Sequence, residues 1–172
     1  MRRPIRFYLV GGSVMIDLGL RSATLDIDFA ADADDPAALT ELEPAIVALK
    51  NELDVNVEPA SPSDFLPIPA GVRDRSRFVE RFGQLDVYYY DLTSLIIAKV
   101  ARAYEQDLSD AELLVRSGQV SWDAVTRTWA LMKVSTTGWL RYEPADIERR
   151  LDILRQRLDV DLPPLDARST IR

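Results

Sequence analysis

The hydrophobic period of this 172-residue chain changes near Asp91, and this change constrains the fold more than any other feature of the sequence. Before it, short runs with β-branched residues or strict alternation stand between segments of helical period. After it, the pattern is almost entirely helical. The sequence therefore predicts an α/β (α+β) protein, in which a mixed sheet with flanking helices precedes a C-terminal helical bundle.

The first half of the chain is predicted to hold strands and two helices. The predicted strands are 5–10, 24–30, 54–58, 77–82 and 84–90, the last two forming a hairpin around Gly83. A short helix follows Gly11-Gly12-Ser13, with Ser13 as its cap and Gly19 at its end. A long helix is predicted over 36–53, with Leu39, Leu42, Ile46 and Leu49 directed inward.

The second half is predicted to be a helical bundle with a polar tail. Its predicted helices are 92–104, 109–116, 122–133 and 144–158, with the three tryptophans as packing residues. The resulting division is an α/β core over residues 1–90, a helical subdomain over 91–160 packed on that core, and a tail over 161–172. The proline-rich segment 59–69 is interpreted as an ordered loop.

Two residue types are missing, and their absence excludes whole classes of chemistry. The chain contains no cysteine and no histidine. Disulfides, thiolate metal sites, cysteine nucleophiles and every histidine-based dyad or triad are therefore excluded. Metal chemistry is left with carboxylate oxygen, which favours hard cations such as Mg²⁺ or Mn²⁺.

The charge balance limits the partners that the chain can bind. The formal net charge is −7 and the isoelectric point is about 4.7, which disfavours long nucleic acid. A local group of Arg73, Arg75, Arg77 and Arg81 can grip an RNA end or can simply be a solvated edge. The apolar run after the basic N-terminus stops at Gly11, too early for a membrane span or a signal peptide. We expect a cytoplasmic protein with no membrane contact.

The strongest local signal is Asp26-Ile27-Asp28 in a predicted strand. Because side chains alternate along a strand, Asp26 and Asp28 share one face and Ile27 points into the core. Two carboxylates held this close repel each other unless a divalent cation lies between them. The motif alone is more often a solvated strand face. In this context it predicts a metal site.

The turn Gly11-Gly12-Ser13 adds a predicted anion-binding site to that metal site. Glycines let the backbone approach a ligand, and a helix start presents free N–H groups and a hydroxyl to an anion. A phosphate-binding turn beside two metal-binding carboxylates is suited to binding a nucleoside triphosphate. Taken alone, such a turn often has only a structural role. The glycine turn followed by Asp26-Ile27-Asp28 is the combination that indicates function.

Lys99 is the next unusual residue, because it lies on or beside the apolar face of its predicted helix. There its charge requires a partner. It can reach a triphosphate, or it can extend from the edge of the core as a structural residue. The segment Asp107-Leu108-Ser109-Asp110 is interpreted as a helix cap followed by an acid, and these acids can also face Lys99.

A third acid of the metal site is expected on a neighbouring strand. Asp54, Glu58 and Asp86 are all available, with Glu58 and Asp86 preferred slightly. The run Tyr88-Tyr89-Tyr90 can stack on a nucleotide base, but tyrosines on a half-buried strand more often pack in the core and at its rim.

Six segments together resemble a known family. They are Tyr8–Ser13 (YLVGGS), Leu18–Arg21 (LGLR), Thr24–Asp28 (TLDID), Ala60–Pro69 (ASPSDFLPIP), Asp91–Lys99 (DLTSLIIAK) and Asp107–Asp110 (DLSD). This series resembles the minimal nucleotidyltransferases of the DNA polymerase β superfamily. It is most similar to the branch with uncharacterised bacterial nucleotidyltransferase-like proteins and AbiEii-type toxins, and it covers about residues 8–114.

The resemblance implies roles for individual residues. Gly12 and Ser13, with Gly11, would bind the triphosphate, and Arg21 and Thr24 lie in the matching segments beside them. Asp26 and Asp28 would hold magnesium. Lys99 would match the lysine motif, and Asp107 or Asp110 the final acidic motif. The position before Asp26 is Leu25, where the family often has a polar or basic residue.

These observations lead to a principal hypothesis and two alternatives. The first is an Mg²⁺-dependent nucleotidyltransferase that moves a nucleoside monophosphate from a nucleoside triphosphate to an RNA (for example tRNA) end or a protein hydroxyl. The toxin of a toxin–antitoxin pair, with an antitoxin protein as partner, is its expected setting. The alternatives are a module of the same fold that binds a nucleotide or a protein without turnover, and an antitoxin-like protein that modifies its partner.

Overall fold

The computed structural model describes residues 5–158, and these form two compact units. The sheet unit contains the chain up to Ser61 together with Val72–Asp91. The helical unit contains Pro62–Gly71 and, within the described residues, the chain from Leu92 to Leu158. Eight residues of the proline-rich segment therefore belong to the helical unit, which the period of the sequence did not indicate. The predicted tail over 161–172 lies outside the described residues.

A five-stranded mixed sheet is the centre of the sheet unit, as the sequence predicts. The strands are β1 (Ile5–Leu9), β2 (Asp26–Ala33), β3 (Asn56–Pro59), β4 (Arg77–Phe82) and β5 (Leu85–Tyr89), in the order β3-β2-β1-β5-β4. The pairs β1–β2 and β4–β5 are antiparallel, whereas β1–β5 and β2–β3 are parallel. The predicted hairpin around Gly83 is confirmed, and Gly83 has the positive φ of 61° that such a turn requires.

The third strand begins two residues later than predicted. Asp54 ends the preceding helix with φ 51° and ψ 41°, in the left-handed region. Asp54 therefore lies outside β3, and the prediction that it belongs to the third strand is wrong. The physical reason is the helix C-terminus, where one residue in the left-handed conformation often ends the helix.

Two details of the predicted helices in the sheet unit are also wrong. Helix α1 is Gly11–Asp17, and its N-cap is Val10, not Ser13. The predicted helix over 36–53 is divided into a 3-10 segment, Pro36–Glu41, and helix α2, Leu42–Leu53. A continuous helix would place Pro44 in its interior, whereas a start at Leu42 leaves Pro44 in the first turn, where the missing N–H costs little.

The inward side of α2 is less buried than the sequence predicts. Leu39, Leu42 and Ile46 are half-buried, whereas Leu49 is 47% exposed. No residue of α2 is fully buried. The helix therefore covers the sheet only in part. A further short helix, α3 (Val72–Arg75), precedes β4.

Four helices form the larger part of the helical unit, as predicted. They are α4 (Leu92–Arg102), α5 (Glu105–Arg116), α6 (Trp122–Lys133) and α7 (Pro144–Arg157). Helix α4 is buried along nine consecutive residues, and α5, α6 and α7 surround it. Helix α5 starts four residues earlier than predicted, so Asp107 lies in its first turn and is not its cap.

Aromatic packing in the helical unit follows the prediction from the sequence. Trp122 and Trp129 are almost fully buried, and Trp139 lies edge-on to Trp129 with ring centroids 5.9 Å apart. Buried aromatic side chains contribute large apolar areas to a core of this size. None of the helices in residues 5–158 is long and apolar enough to cross a membrane.

The two faces of the sheet differ sharply, and this difference positions the candidate site. One face is apolar, with Phe7, Ile27 and Leu85 among its residues, and α2 lies over it. The opposite face is polar because the alternate residues of the same strands are charged: Arg6, Asp26, Asp28, Asp32, Glu58 and Asp86. The predicted site residues of the sheet unit lie on or beside this polar face.

Candidate functional site

The two predicted metal ligands lie at the start of β2, next to β3. The parallel register pairs Asp26 with Asn56 and Asp28 with Glu58. The Asn56 Nδ2 donates hydrogen bonds to Asp26 Oδ1 (2.7 Å) and to Glu58 Oε1 (2.8 Å). One neutral amide thus links two carboxylates. We call the group formed by Asp26, Asp28, Asn56 and Glu58 the sheet cluster.

Gly11 contacts the sheet cluster directly. Its φ of +62° favours glycine, and a Cβ at this position would collide with the Asp28 Oδ2. Glycine at position 11 therefore leaves free the space that the Asp28 carboxylate occupies. The sequence singled out both motifs separately, and the fold places one against the other.

Gly12 lies beside two further nucleotide-binding candidates, Arg21 and Thr24. A Cβ at Gly12 would collide with the Thr24 Oγ1 and crowd the Arg21 Nη1. Thr24 also donates a hydrogen bond from Oγ1 to the backbone carbonyl of Asp26, at 3.1 Å. The guanidinium of Arg21, the Thr24 hydroxyl and the start of β2 therefore meet over the glycine turn.

Ser13 has a different local role from the predicted one. Its Oγ donates a hydrogen bond to the carbonyl oxygen of Val10, the residue after β1, at 2.7 Å. The hydroxyl therefore does not cap α1. A phosphate oxygen can only accept a hydrogen bond. Ser13 can donate to a triphosphate only after its hydroxyl leaves Val10.

The structure separates the three candidates for the third acid. Glu58 is the residue opposite Asp28 in the β2–β3 register. Asp86 lies on β5, opposite Arg6, which in turn pairs with Asp32 at the far end of β2. Asp54 lies outside the strand altogether. Of the three candidates, Glu58 is therefore the one that the fold places beside Asp28.

Asp86 has its own counter-charge. The Arg81 guanidinium donates to both carboxylate oxygens of Asp86, through Nε and through Nη2 (2.8 Å). This bidentate contact holds the pKa of Asp86 below its usual value, even though burial of the carboxylate acts in the opposite direction. Asp86 is thus a stabilised anion within an ion pair.

The donor set of the sheet cluster suits a hard divalent cation. Within residues 5–158 no group of three or more acidic side chains is arranged to hold a metal ion. Magnesium, however, commonly takes one or two carboxylates and completes its shell with phosphate oxygens and water. Asp26 and Asp28, on one face of β2, provide this number of carboxylates.

Lys99, Asp107 and Asp110 lie in the helical unit and contact one another. The Lys99 Nζ donates to Asp110 Oδ2 at 2.7 Å and to Asp107 Oδ1 at 3.4 Å. Arg102 donates to Asp107 at 2.6 Å, and Gln106 donates to Asp110 at 3.0 Å. Lys99 is only 2% exposed. We call Lys99, Arg102, Asp107 and Asp110 the helical cluster; its two cations and two anions balance.

The arginines of the predicted RNA-gripping group all have partners within the sheet unit. Arg73 pairs with Asp32 (3.0 Å), Arg75 with Asp91 (2.8 Å) and Arg81 with Asp86, whereas Arg77 lies over the Tyr89 ring. The arginines of α7 likewise contact acids or a carbonyl: Arg149–Asp146, Arg150–Ala101 O, Arg155–Asp152 and Arg157–Glu105. An anion would have to compete with these contacts.

The sequence interpretation missed one polar network on the same face of the sheet. Arg6 bonds Asp32 (2.5 Å) and Asp34 (2.6 Å), and the Tyr8 hydroxyl donates to Asp32 at 3.0 Å. Burial raises the pKa of Tyr8, and the Asp32 carboxylate raises it further. The available signal was aspartate at the even positions 26, 28 and 32, interrupted by Ala30, since it continues the polar face to Asp32.

Comparison with known proteins gives one result. A family model described as "Nucleotidyltransferase of unknown function (DUF6036)" matches residues 2–149. No curated protein and no solved structure matches the chain. The five-stranded mixed sheet with its helices agrees with an α+β nucleotidyltransferase-like fold.

Proposed function

The chain belongs to this family of nucleotidyltransferases of unknown function, and we propose that it transfers a nucleoside monophosphate from a nucleoside triphosphate to an RNA end or a protein hydroxyl. The observation that carries the proposal is the sheet cluster at the glycine turn. Asp28 lies against Gly11, with Glu58 beside it in the adjacent strand. Backbone that phosphate oxygens can approach, beside carboxylates that would hold a divalent cation, is suited to a charged phosphate substrate.

The proposed reaction forms one bond and breaks one. The acceptor hydroxyl oxygen bonds to the α-phosphorus, and the bond from that phosphorus to the oxygen bridging toward the β-phosphate breaks. Pyrophosphate leaves with the electron pair of the broken bond. In this proposal the Glu58 carboxylate takes the acceptor hydroxyl proton, as a general base held in place by the Asn56 amide.

Residues around the glycine turn would orient the triphosphate. Gly11 and Gly12 let phosphate oxygens approach the backbone, and the Arg21 guanidinium at Gly12 offsets phosphate charge. Asp26 and Asp28 would hold Mg²⁺, which when bound supplies positive charge to the phosphates. The roles of Lys99, Asp107 and Asp110 at the nucleotide remain predictions from the resemblance.

The test is transfer of label from each nucleoside triphosphate, with Mg²⁺, to total RNA and protein. Asp26→Asn and Asp28→Asn are each expected to lower the rate by about 10²–10³-fold, the usual cost of losing one preorganised electrostatic group. Asp35→Asn is the matched control, because Asp35 is exposed in the same unit and Asn also caps well. Melting temperatures should stay close to that of the wild type.

Two outcomes would contradict the proposal. Full activity in both aspartate variants would exclude the sheet cluster as the site. Binding of a nucleotide by the wild type without any product would favour a non-catalytic module of the same fold.

We extend the proposal to a biological setting, which the resemblance to AbiEii-type toxins suggests. The enzyme would act as a toxin on an RNA such as tRNA, and an antitoxin protein would restrain it. Induced expression is then expected to stop growth of the host cell, and Asp26→Asn to remove that effect. Equal growth arrest by both proteins would contradict the toxin role.

A further inference from the structure

The apolar face of the sheet is covered by too few helices. It is about 20 Å wide, because adjacent strands lie about 4.8 Å apart, whereas one helix with its side chains covers about 10 Å. Helix α2 is the one long helix that the described sheet unit places on this face. Helix α1 has seven residues and reaches the end of β5, where its Asp17 accepts a hydrogen bond from the Tyr89 hydroxyl.

An open cavity of about 640 Å³ lies beside α2 as a result. Its floor is formed mainly by β1 and β5, with Ile27 of β2 and Val57 of β3 at one margin, and its sides by α2 and the end of β4. The floor residues are Ile5, Phe7, Leu9, Leu85 and Val87, and the sides include Leu42, Ala45, Leu49 and Phe82. We call this cavity the slot. Leu49 and Phe82 are 47% and 60% exposed, so much apolar surface stays in contact with water.

The dimensions of the slot match one further helix. The part of its floor that β1 and β5 form is two strands wide, about the width that a single helix covers. The five residues of β1 extend about 17 Å, which corresponds to roughly eleven residues of helix. Sheets of this kind bury their apolar faces under helices. A helix is therefore the element that completes the layer.

The charge around the slot defines the partner. From Asp35 to Asp54, the stretch that contains α2, there are five acidic side chains and one basic side chain, Lys50. Glu41 lines the slot at the start of α2. Glu80 lies on β4 opposite Val87, a floor residue, and is exposed. Acidic groups thus stand on both sides of an apolar floor.

This charge pattern argues against three other occupants. A second copy of the chain would bring one acidic α2 against another, at an electrostatic cost. Nucleic acid and anionic lipid surfaces would be repelled for the same reason. A helix with an apolar stripe and Lys or Arg on its flanks meets both the floor and the acidic sides.

We propose that the slot binds a basic amphipathic helix of a partner protein, which lies beside α2 with its apolar side chains on β1 and β5. This surface is on the opposite face of the sheet from Asp26 and Asp28. The inference does not depend on the transferase activity. A partner bound there leaves the sheet cluster accessible.

The experiment uses two labelled synthetic helices of roughly eleven to fifteen residues that share one leucine stripe. One peptide carries lysine on its polar side and the other carries glutamate. Binding to the full-length chain is measured by fluorescence anisotropy at several salt concentrations. The lysine peptide is expected to bind at least tenfold more tightly, with an affinity that falls as salt rises. Equal binding of the two peptides would overturn the proposal.

Variants locate the binding surface. Leu49→Ser and Phe82→Ser should each weaken binding of the lysine peptide by about tenfold or more, since each removes apolar contact area. Leu131→Ser is the matched control, because Leu131 is 62% exposed on α6 of the helical unit. The double variant Glu41→Gln/Glu80→Gln should weaken binding and flatten its salt dependence.

Three further results would overturn the proposal. They are unchanged peptide binding in both slot variants, a concentration-dependent dimer that Phe82→Ser abolishes, and binding to anionic vesicles that Leu49→Ser abolishes. The second result would assign the slot to another copy of the chain. The third would assign it to a lipid surface.

Discussion

The sheet cluster and the helical cluster contain the same kind of acid but differ in what surrounds it. In the helical cluster, Asp107 and Asp110 are buried and bonded to the cations Lys99 and Arg102. In the sheet cluster, the group that links Asp26 and Glu58 is the neutral Asn56 amide, and these side chains are partly or fully exposed.

The difference shows how burial and direct bonds to cations distinguish a structural acid from a candidate functional one. A buried network that balances its own charges holds two helices in register, and breaking it leaves an uncompensated charge in the core. Carboxylates gathered on an open face, two of them linked through a neutral amide, are suited to a cation brought by a substrate. Mutations can test each side of this contrast.

The largest effect is expected from Lys99→Met in the helical cluster. Removal of the ammonium leaves two buried carboxylates with reduced compensation and should lower the free energy of unfolding by about 3–5 kcal/mol. Urea denaturation measures this. Arg102→Met should cost less, because Arg102 is 41% exposed. A loss below about 1 kcal/mol for Lys99→Met would contradict a structural role for the network.

The same variant tests the second prediction about Lys99. If Lys99 offsets the charge of a triphosphate, the remaining folded Lys99→Met protein should bind nucleotide more weakly. Titration of nucleotide, corrected for the folded fraction, measures this. Unchanged nucleotide affinity would restrict Lys99 to the helical cluster.

The next effect in size compares two acids of the sheet unit. Glu58→Gln should lower the rate of nucleotidyl transfer by about 10²-fold, because Gln cannot take the acceptor proton. Asp86→Asn should leave the rate nearly unchanged, since Asp86 lies two strands from β2 and is paired with Arg81. Steady-state rates of the two variants decide the matter. The reverse order of effects would make Asp86 the third acid.

Gly11→Ala should give a smaller loss of stability and a separate loss of activity. Alanine at a positive φ costs about 1–2 kcal/mol, and here the new Cβ would also displace the Asp28 carboxylate. Gly19→Ala is the matched control: its φ is +70°, but its Cβ would meet open space. Both variants should lose stability, Gly11→Ala more because of its collision with Asp28, and only Gly11→Ala should lose transfer. Equal activities would separate Gly11 from the site.

The smallest effect concerns the pH dependence of stability. The pKa of Asp86 is lowered in the folded protein, so its ion pair contributes stability above the ordinary aspartate pKa. This contribution disappears as the pH falls through the lowered pKa. In urea denaturation at pH 7 and pH 3, the wild type should lose more stability than Asp86→Asn. Identical losses would show that the Arg81 pair contributes nothing in solution.

Much of the fold follows from the sequence because its signals are local. Period two identified the five strands, and period 3.6 identified the helices of the second half. The errors arose at helix ends, where a single residue determines whether the helix begins or stops. Pro44 moves the start of α2 to Leu42, and Asp54 takes a left-handed conformation that delays β3. Pro44 was visible in the sequence, whereas the conformation of Asp54 was not.

By itself, then, the sequence determined which residues form strands and helices, and it identified the glycine turn and Asp26-Ile27-Asp28 as the place to look for chemistry. Only the tertiary structure decided which distant residues meet. The strand order β3-β2-β1-β5-β4 puts Glu58 next to Asp28 and leaves Asp86 two strands away. The period of a segment specifies which side of a strand is apolar. It carries no information about the neighbouring strand, because strand pairing joins residues that are remote along the chain.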